Sequence, residues 1–187
     1  MEISVKNSKG FTLIELVVVI SIVGILAAVA LPRFVSMQTD ARIAKLNAVR
    51  GAVGASAALV HAVFLTRNGV ADIVACPGGG GIATNTTNIC TEAGVVALVF
   101  GYPQALLTTG AGTPGIISSG GLTSVFNPTP AQLATEGYGQ AGGGAGGGAV
   151  LTITVLGNVP ATCSFTYTAP VAAGASAVVS AATTTGC

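Results

Sequence analysis

Glu15 stands inside an apolar run that is long enough to cross a membrane. The run, residues 11–31, reads Phe-Thr-Leu-Ile-Glu-Leu-Val-Val-Val-Ile-Ser-Ile-Val-Gly-Ile-Leu-Ala-Ala-Val-Ala-Leu, and Glu15 is its only charged residue. As a helix it is about 31 Å long, close to the thickness of a bilayer's hydrocarbon core. A carboxylate there is costly if unpaired, so we expect Glu15 to have a partner and a function. The alternative is a Glu15 that merely reaches the lipid headgroups.

Four cysteines follow the apolar run: Cys76, Cys90, Cys163 and Cys187. None has the Cys-x-x-Cys spacing of a zinc or redox site, so the sequence predicts disulfides in an oxidising compartment. Three pairings are possible from the sequence alone. Sequential pairing, Cys76 with Cys90 and Cys163 with Cys187, closes the shortest loops and is favoured because local closure costs the least chain entropy.

Other candidate chemistry is weak. His61 is the only histidine, and because no Cys, Asp or second His stands three or four residues after it, we expect a structural role and no metal. Residues 137–142 spell Gly-x-Gly-x-x-Gly, but they lead into more glycine rather than a helix, so the glycine runs at 78–81 and 142–148 predict turning loops. With no catalytic triad and no paired carboxylates, the sequence predicts neither an enzyme nor a cofactor.

The composition fits one tail and one head. At 187 residues the chain is long enough for one domain and an extended element. Only 7% of residues are charged, the net charge is +1, and no Lys or Arg follows Arg67. Such a head has no basic field, so we predict no nucleic-acid partner.

The N-terminus resembles that of a known family. Residues 1–10 are polar, contain two lysines and end at Gly10, and the string Phe11-Thr-Leu-Ile-Glu15 opens the apolar run. This pattern resembles type IV prepilins and the related pseudopilins of type II secretion. The resemblance implies that a membrane peptidase cuts between Gly10 and Phe11 and methylates the new amine of Phe11. It also implies that Glu15 is the assembly glutamate, which meets the Phe11 amine of a neighbouring subunit.

Two observations favour other readings of this segment. Ala28 and Ala30 form an Ala-x-Ala pair of the kind that ends a secretory signal, but cleavage there would discard a helix that continues without a break. The four positive residues after the span outnumber the two in the leader, which would place the far end in the cytoplasm. The cysteines need an oxidising side, so we expect a single pass through the inner membrane with a cytoplasmic N-terminus.

Residues 32–67 predict an amphipathic stem helix. Its apolar positions recur every three or four residues, at Leu46, Val49, Val53, Ala57, Val60 and Phe64. Asn68-Gly69 predicts a left-handed C-cap. Gly24 and Pro32 weaken the helix before it. The resemblance suggests that the segment between them unwinds and extends in filaments, and a simple kink is the open alternative.

Residues 68–187 predict a β-rich head. The best strand candidates are 95–100, 150–155 and 163–167, and the last two should form a hairpin through Gly157-Asn158 with one face on the stem. We expect one antiparallel sheet of three to five strands, with short helices at 105–107 and 130–134. The predicted fold is α+β, a type IV pilin fold with leader 1–10, core helix 11–31, stem 32–67 and head 68–187.

The stem and the head carry further sequence patterns. Residues 30–42, 101–105 and 163–167 resemble the mannose-sensitive haemagglutinin pilin branch. Asn85-Thr-Thr fits the N-glycosylation sequon, and the many threonines also raise O-glycosylation.

The resemblance implies a structural function. A pilin forms a homo-oligomeric helical filament, a type IV pilus for adhesion or motility, after processing by prepilin peptidase and assembly by an ATPase and platform machinery. The finished filament is extracellular. The alternative, a type II secretion pseudopilin, typically holds calcium near its C-terminus, but here only Glu136 lies beyond Glu92.

Overall fold

The computed structural model describes residues 10–157, 159 and 162–187. They fall into two compact units, one ending at Asp40 and the other spanning Ala41–Cys187. The predicted leader lies outside the described residues except for Gly10. The helix and sheets give the α+β class that we predicted.

The helix α1, Leu13–Arg67, is the longest element. It is continuous through Gly24 and Pro32, so the predicted core and stem segments are parts of one helix. It ends as predicted, because Asn68 and Gly69 have positive φ angles of 47° and 75° and the Asn68 N–H bonds to the Phe64 carbonyl.

Within Ala41–Cys187, α1 buries the predicted apolar stripe. Leu46, Val49, Val53, Ala57 and Val60 are all buried. Phe64, the last member of the stripe, is only partly buried. The periodicity of three and four therefore identified the packing face of the helix.

The structure contains two antiparallel sheets rather than the single sheet that we predicted. The first consists of β1 (Asn88–Thr91), β2 (Gly94–Val99) and β3 (Tyr102–Pro103). The second consists of β4 (Tyr138–Gly142), β5 (Val150–Val155), β6 (Ser164–Thr168) and β7 (Val178–Val179). Each sheet packs on a different part of α1, which is why the stripe is so long: Val60 and Phe64 meet the first sheet, and the stripe before them meets the second.

The predicted hairpin is confirmed as β5 paired with β6. Leu151 pairs with Tyr167 and Ile153 with Phe165, and all four side chains are at most 2% exposed. They share one core with the helix stripe. Period-two alternation thus placed the correct face of the hairpin inward. Asn158, half of its predicted turn, lies outside the described residues.

The short helices were only partly predicted. The structure has α2 (Ile116–Ser119), which the sequence did not indicate, and α3 (Pro130–Thr135), which it did. The Thr129 and Gln132 side chains form a capping box at the start of α3. The helix predicted at 105–107 is wrong, because Ala105 forms an isolated β-bridge with Gly144.

The glycine-rich segment is ordered by pairing and close packing. Residues 138–142, most of the Gly-x-Gly-x-x-Gly string, form β4 and pair with β5, so of the loop that we predicted at 142–148 only Gly142 lies in a strand. Further on, a Cβ added at Gly147 would stand 2.6 Å from the Phe100 ring and 2.8 Å from the Pro170 carbonyl oxygen. Glycine at 147 therefore permits a close approach of two loops.

Candidate assembly site at the helix N-terminus

Glu15 forms a capping box with Thr12 at the start of α1. The Glu15 Oε2 atom accepts hydrogen bonds from the Thr12 main-chain N–H and from the Thr12 hydroxyl, both at 2.8 Å. The Glu15 main-chain N–H donates back to Thr12 Oγ1 at 3.3 Å. Thr12 is thus the N-cap residue and Glu15 the third helical residue, the spacing of a capping box. Its sequence signature, Thr-x-x-Glu, was present but was not used in the sequence-based prediction.

Phe11 and Gly10 precede this box. The Phe11 side chain is 92% exposed and, with Thr12, Leu13, Glu15, Leu16 and Val19, lines a shallow groove. A Cβ added at Gly10 would meet no atom within 4 Å. Packing among the described residues therefore supplies no reason for glycine at position 10.

The helix beyond the box presents apolar side chains on all its faces. Thirteen of them between Leu13 and Leu31 are exposed: Leu13, Ile14, Leu16, Val17, Val18, Val19, Ile20, Ile22, Val23, Ile25, Leu26, Val29 and Leu31. By length and composition α1 can cross a membrane, and its most apolar window is not buried within the chain. Such a surface requires lipid or other apolar helices around it. At Gly24 a Cβ would meet nothing within 4 Å, so close packing inside the chain does not explain that glycine either.

In the second unit, cationic side chains of α1 bind main-chain oxygens of the head. Arg42 donates from Nη1 to the Cys187 carbonyl at 2.9 Å, and Arg50 donates from Nε to the Ser180 carbonyl at 2.6 Å. Lys45 donates to the Glu136 carbonyl, and its ammonium lies 4.2 Å from the centre of the Tyr138 ring. These three contacts fasten the helix to the second sheet and its flanks. The sequence analysis did not predict these three contacts.

The four cysteines form two disulfides, Cys76–Cys90 and Cys163–Cys187. The second lies in the core that contains Phe165 and Tyr167. Because Arg42 also bonds to Cys187, the end of the chain is held to the head by both covalent and polar contacts. The first disulfide ties the segment that follows α1 to strand β1.

The tyrosines of the second unit are perturbed by burial. Burial, and to a smaller extent the charge of Glu136, raises the pKa of Tyr138 above its usual value. Burial raises the pKa of Tyr167 strongly, and the electrostatic effect of Tyr102 raises it further. The Tyr167 hydroxyl donates to the Pro103 carbonyl at 2.7 Å, which joins the two sheets. The hydrogen bond therefore stabilises the packing of the two sheets. Tyr167 is far from Glu15 in the sequence and is not part of the candidate assembly site.

His61 and Asn85 have structural environments. The His61 ring stacks on Tyr102 with centroids 4.0 Å apart, and its Nδ1 is 3.1 Å from the Gly101 carbonyl oxygen. Among the described residues, no group of three His, Cys, Asp or Glu side chains could hold a metal. Asn85 is fully buried, and its Nδ2 donates to the Val70 carbonyl and to Asp72 Oδ1. A glycan would replace one of the two Nδ2 hydrogens of this fully buried amide, so at least one contact would have to break, and the structure argues against our expectation at Asn85.

Comparisons with known proteins find one family model and several relatives. The model of the prokaryotic N-terminal methylation motif matches residues 5–31. The type IV narrow pilus major component PilA5 of Thermus thermophilus is 49% identical over 53 residues, 28% of this chain and 46% of that protein. The type IV major pilin protein PilA of Myxococcus xanthus is 51% identical over 36 residues, 19% of this chain and 16% of that protein.

A third relative matches over a longer stretch. The fimbrial protein EcpB of Eikenella corrodens is 37% identical over 83 residues, 44% of this chain and 48% of that protein. The chain thus matches about half the length, or less, of these curated relatives. No solved structure matches it. The family-model match, over residues 5–31, therefore bears on the first part of the helix and the residues before it.

Proposed function

We propose that this chain, a type IV pilin by its N-terminal segment and α+β fold, is a structural subunit that polymerises into a type IV pilus for surface attachment or motility. One observation carries the proposal. The first part of α1 exposes its apolar side chains and carries a single carboxylate, Glu15. Glu15 lies four residues after Phe11, the position at which the methylation motif implies a new amine. Two relatives are named as a pilus component and a major pilin, which supports the proposal over the pseudopilin alternative.

The proposed mechanism begins with cleavage between Gly10 and Phe11 by prepilin peptidase, followed by methylation of the Phe11 amine. The helices then leave the inner membrane and pack side by side, where exposed apolar side chains supply the attraction. Each Glu15 pairs with the Phe11 ammonium of a neighbour. Since the pairing satisfies two ions in apolar surroundings, it selects the axial register of the subunits.

The proposal places the N-terminus of the precursor in the cytoplasm and the finished filament outside the cell. An ATPase and a platform protein would drive assembly. In this arrangement both disulfides form on the oxidising side of the membrane. The finer likeness to the mannose-sensitive haemagglutinin pilin branch, an extensible segment between Gly24 and Pro32, and O-glycosylation of the head stay predictions.

Deletion and complementation in the cell of origin test this proposal. Filaments sheared from the surface should disappear when the chain is deleted and return with the wild-type copy at native expression. A Glu15→Leu copy should accumulate in the membrane as cleaved subunit without filaments. Glu92→Gln, which removes an exposed carboxylate of the head, is the matched control and should restore filaments. Filaments that persist at wild-type number without this chain would refute the proposal. Cryo-electron microscopy of filaments from the complemented strain would show the subunit directly.

A further inference from the structure

The dipeptide Asn68-Gly69 forms an exposed turn directly after α1. Both residues are exposed, and both have positive φ angles, 47° and 75°. The Val70 N–H closes the turn by donating to the Arg67 carbonyl at 3.0 Å. Two central residues with positive φ inside such a bond are typical of a type I′ turn, for which Asn-Gly is a preferred pair. The turn thus holds a side-chain amide beside the main-chain nitrogen of a glycine.

No described residue restrains these two groups. The Gly69 main-chain N–H and the Asn68 side-chain amide make no hydrogen bond with any residue that the structure describes. Within α1, by contrast, the N–H after Asn47 is bound to the helix backbone. A side chain on the following residue would also shield its nitrogen, and Gly69 has none. Asn68 is the only asparagine in the sequence that precedes a glycine.

We propose that Asn68 is a site of self-modification, at which the folded chain loses the side-chain amide without an enzyme. A base removes the proton of the Gly69 N–H, and the nitrogen attacks Asn68 Cγ. The new C–N bond closes a five-membered succinimide, and the side-chain nitrogen takes up a proton and leaves as ammonia. Water then opens the ring at either carbonyl, which gives aspartate or isoaspartate at position 68. The inference does not depend on the proposed function.

Either product adds a carboxylate at the C-terminal end of α1. The helix dipole makes that end unfavourable for negative charge. Arg67, the last residue of the helix, already donates to Asp72 at 2.9 Å, and a second carboxylate beside it competes for the guanidinium. Isoaspartate also lengthens the main chain inside the turn that the Val70 N–H closes. Modification should therefore loosen the junction between α1 and the segment that follows it.

Peptide mapping of the full chain in detergent tests the proposal. The folded chain is incubated at neutral pH in water enriched in ¹⁸O, so that each new carboxylate is labelled. It is then digested with pepsin in acid, where further reaction is slow, and the peptides are measured by mass spectrometry. The matched control is Asn47, which is exposed like Asn68 but lies within α1. The same chain unfolded in urea gives the rate for each asparagine without structure.

We expect Asn68 in the folded chain to react within about tenfold of its rate in the unfolded chain, because opening the turn breaks one exposed hydrogen bond. Folding should protect Asn47 more strongly, since its helix must open first. Isoaspartate and aspartate should both appear, and the rate should rise in proportion to hydroxide. Gly69→Ala should slow the reaction severalfold, and its Cβ has room at 3.4 Å from Thr86 Cγ2.

Three results would overturn the inference. An Asn68 amide as stable as that of Asn47 in the folded chain would show that the turn protects it. Aspartate without isoaspartate would exclude the succinimide. A Gly69→Ala chain that is folded by near-ultraviolet circular dichroism and reacts at the wild-type rate would exclude the Gly69 nitrogen as the nucleophile. If Gly69→Ala does not fold, the folded and unfolded wild-type chains decide the matter alone.

Discussion

Replacing Tyr167 by Phe tests how the two sheets are joined. The Tyr167 ring is fully buried, and its hydroxyl donates to the Pro103 carbonyl at the end of β3. Phenylalanine fills the same space but has no hydroxyl, so the Pro103 carbonyl oxygen loses this hydrogen bond inside the head. Such a loss destabilises by about 2 kcal/mol, which corresponds to a Tm lower by about 6 °C in a unit of this size.

The same substitution has a pH signature. Because burial raises the Tyr167 pKa in the folded state, the folded chain keeps the phenol neutral at a pH where the unfolded chain ionises it. The resulting stabilisation is present below the unfolded pKa of about 10 and is lost as pH rises through the folded pKa. The wild-type chain should therefore lose stability more steeply above pH 10 than Tyr167→Phe does.

Near-ultraviolet circular dichroism of the full chain in detergent, followed with temperature at pH 7 and above pH 10, measures both effects. Tyr102→Phe is the matched control, since phenylalanine preserves the ring that stacks on His61. The control should show a much smaller change at pH 7. A Tyr167→Phe chain with wild-type Tm at pH 7, or with an unchanged loss of stability in alkali, would refute the reasoning.

The other predictions concern the packing of the head. Gly147→Ala should destabilise by about 1–3 kcal/mol through overpacking, whereas Gly146→Ala, where a Cβ meets nothing within 4 Å, should change Tm little; equal effects in thermal denaturation would contradict the geometry. Lys45→Met keeps the apolar stem of the side chain and should cost about 1 kcal/mol, and an unchanged Tm would show that its ammonium contributes nothing. Mass spectrometry of sheared filaments should find Asn85 unmodified, and a glycan there would mean that the contacts of its amide do not persist.

The predictable part of the fold is the part with a strong period. The stripe of α1 repeats every three or four residues and β5 alternates every second residue, so burial followed directly from the sequence. The strand β4 has no such signal, because Tyr-Gly-Gln-Ala-Gly lacks β-branched residues. Pairing holds it instead: Gln140 stands opposite Ile153 on β5, and its side chain exchanges hydrogen bonds with the main chain of Thr108.

Contacts between distant residues were not predictable from local patterns. The sequon at Asn85 is the same three residues whether the side chain is buried or exposed. Only the folded structure shows that the Asn85 amide donates hydrogen bonds to Val70 and Asp72. Arg42 and Lys45 are charged positions beside an apolar stripe, which normally indicates a solvated face. Their partners are main-chain oxygens, which no side-chain pattern reveals.

The capping box changes the argument about Glu15. From the sequence, the carboxylate is a charge within a membrane-spanning apolar run, and it is costly until it finds a partner. The structure provides two donors from Thr12, so a single subunit already satisfies part of that charge. In the proposed filament, the attraction between subunits would then come mainly from the exposed apolar side chains of α1, which no other described residue covers. Apolar packing alone permits many axial offsets, and in that filament a fixed carboxylate that accepts one ammonium would select among them.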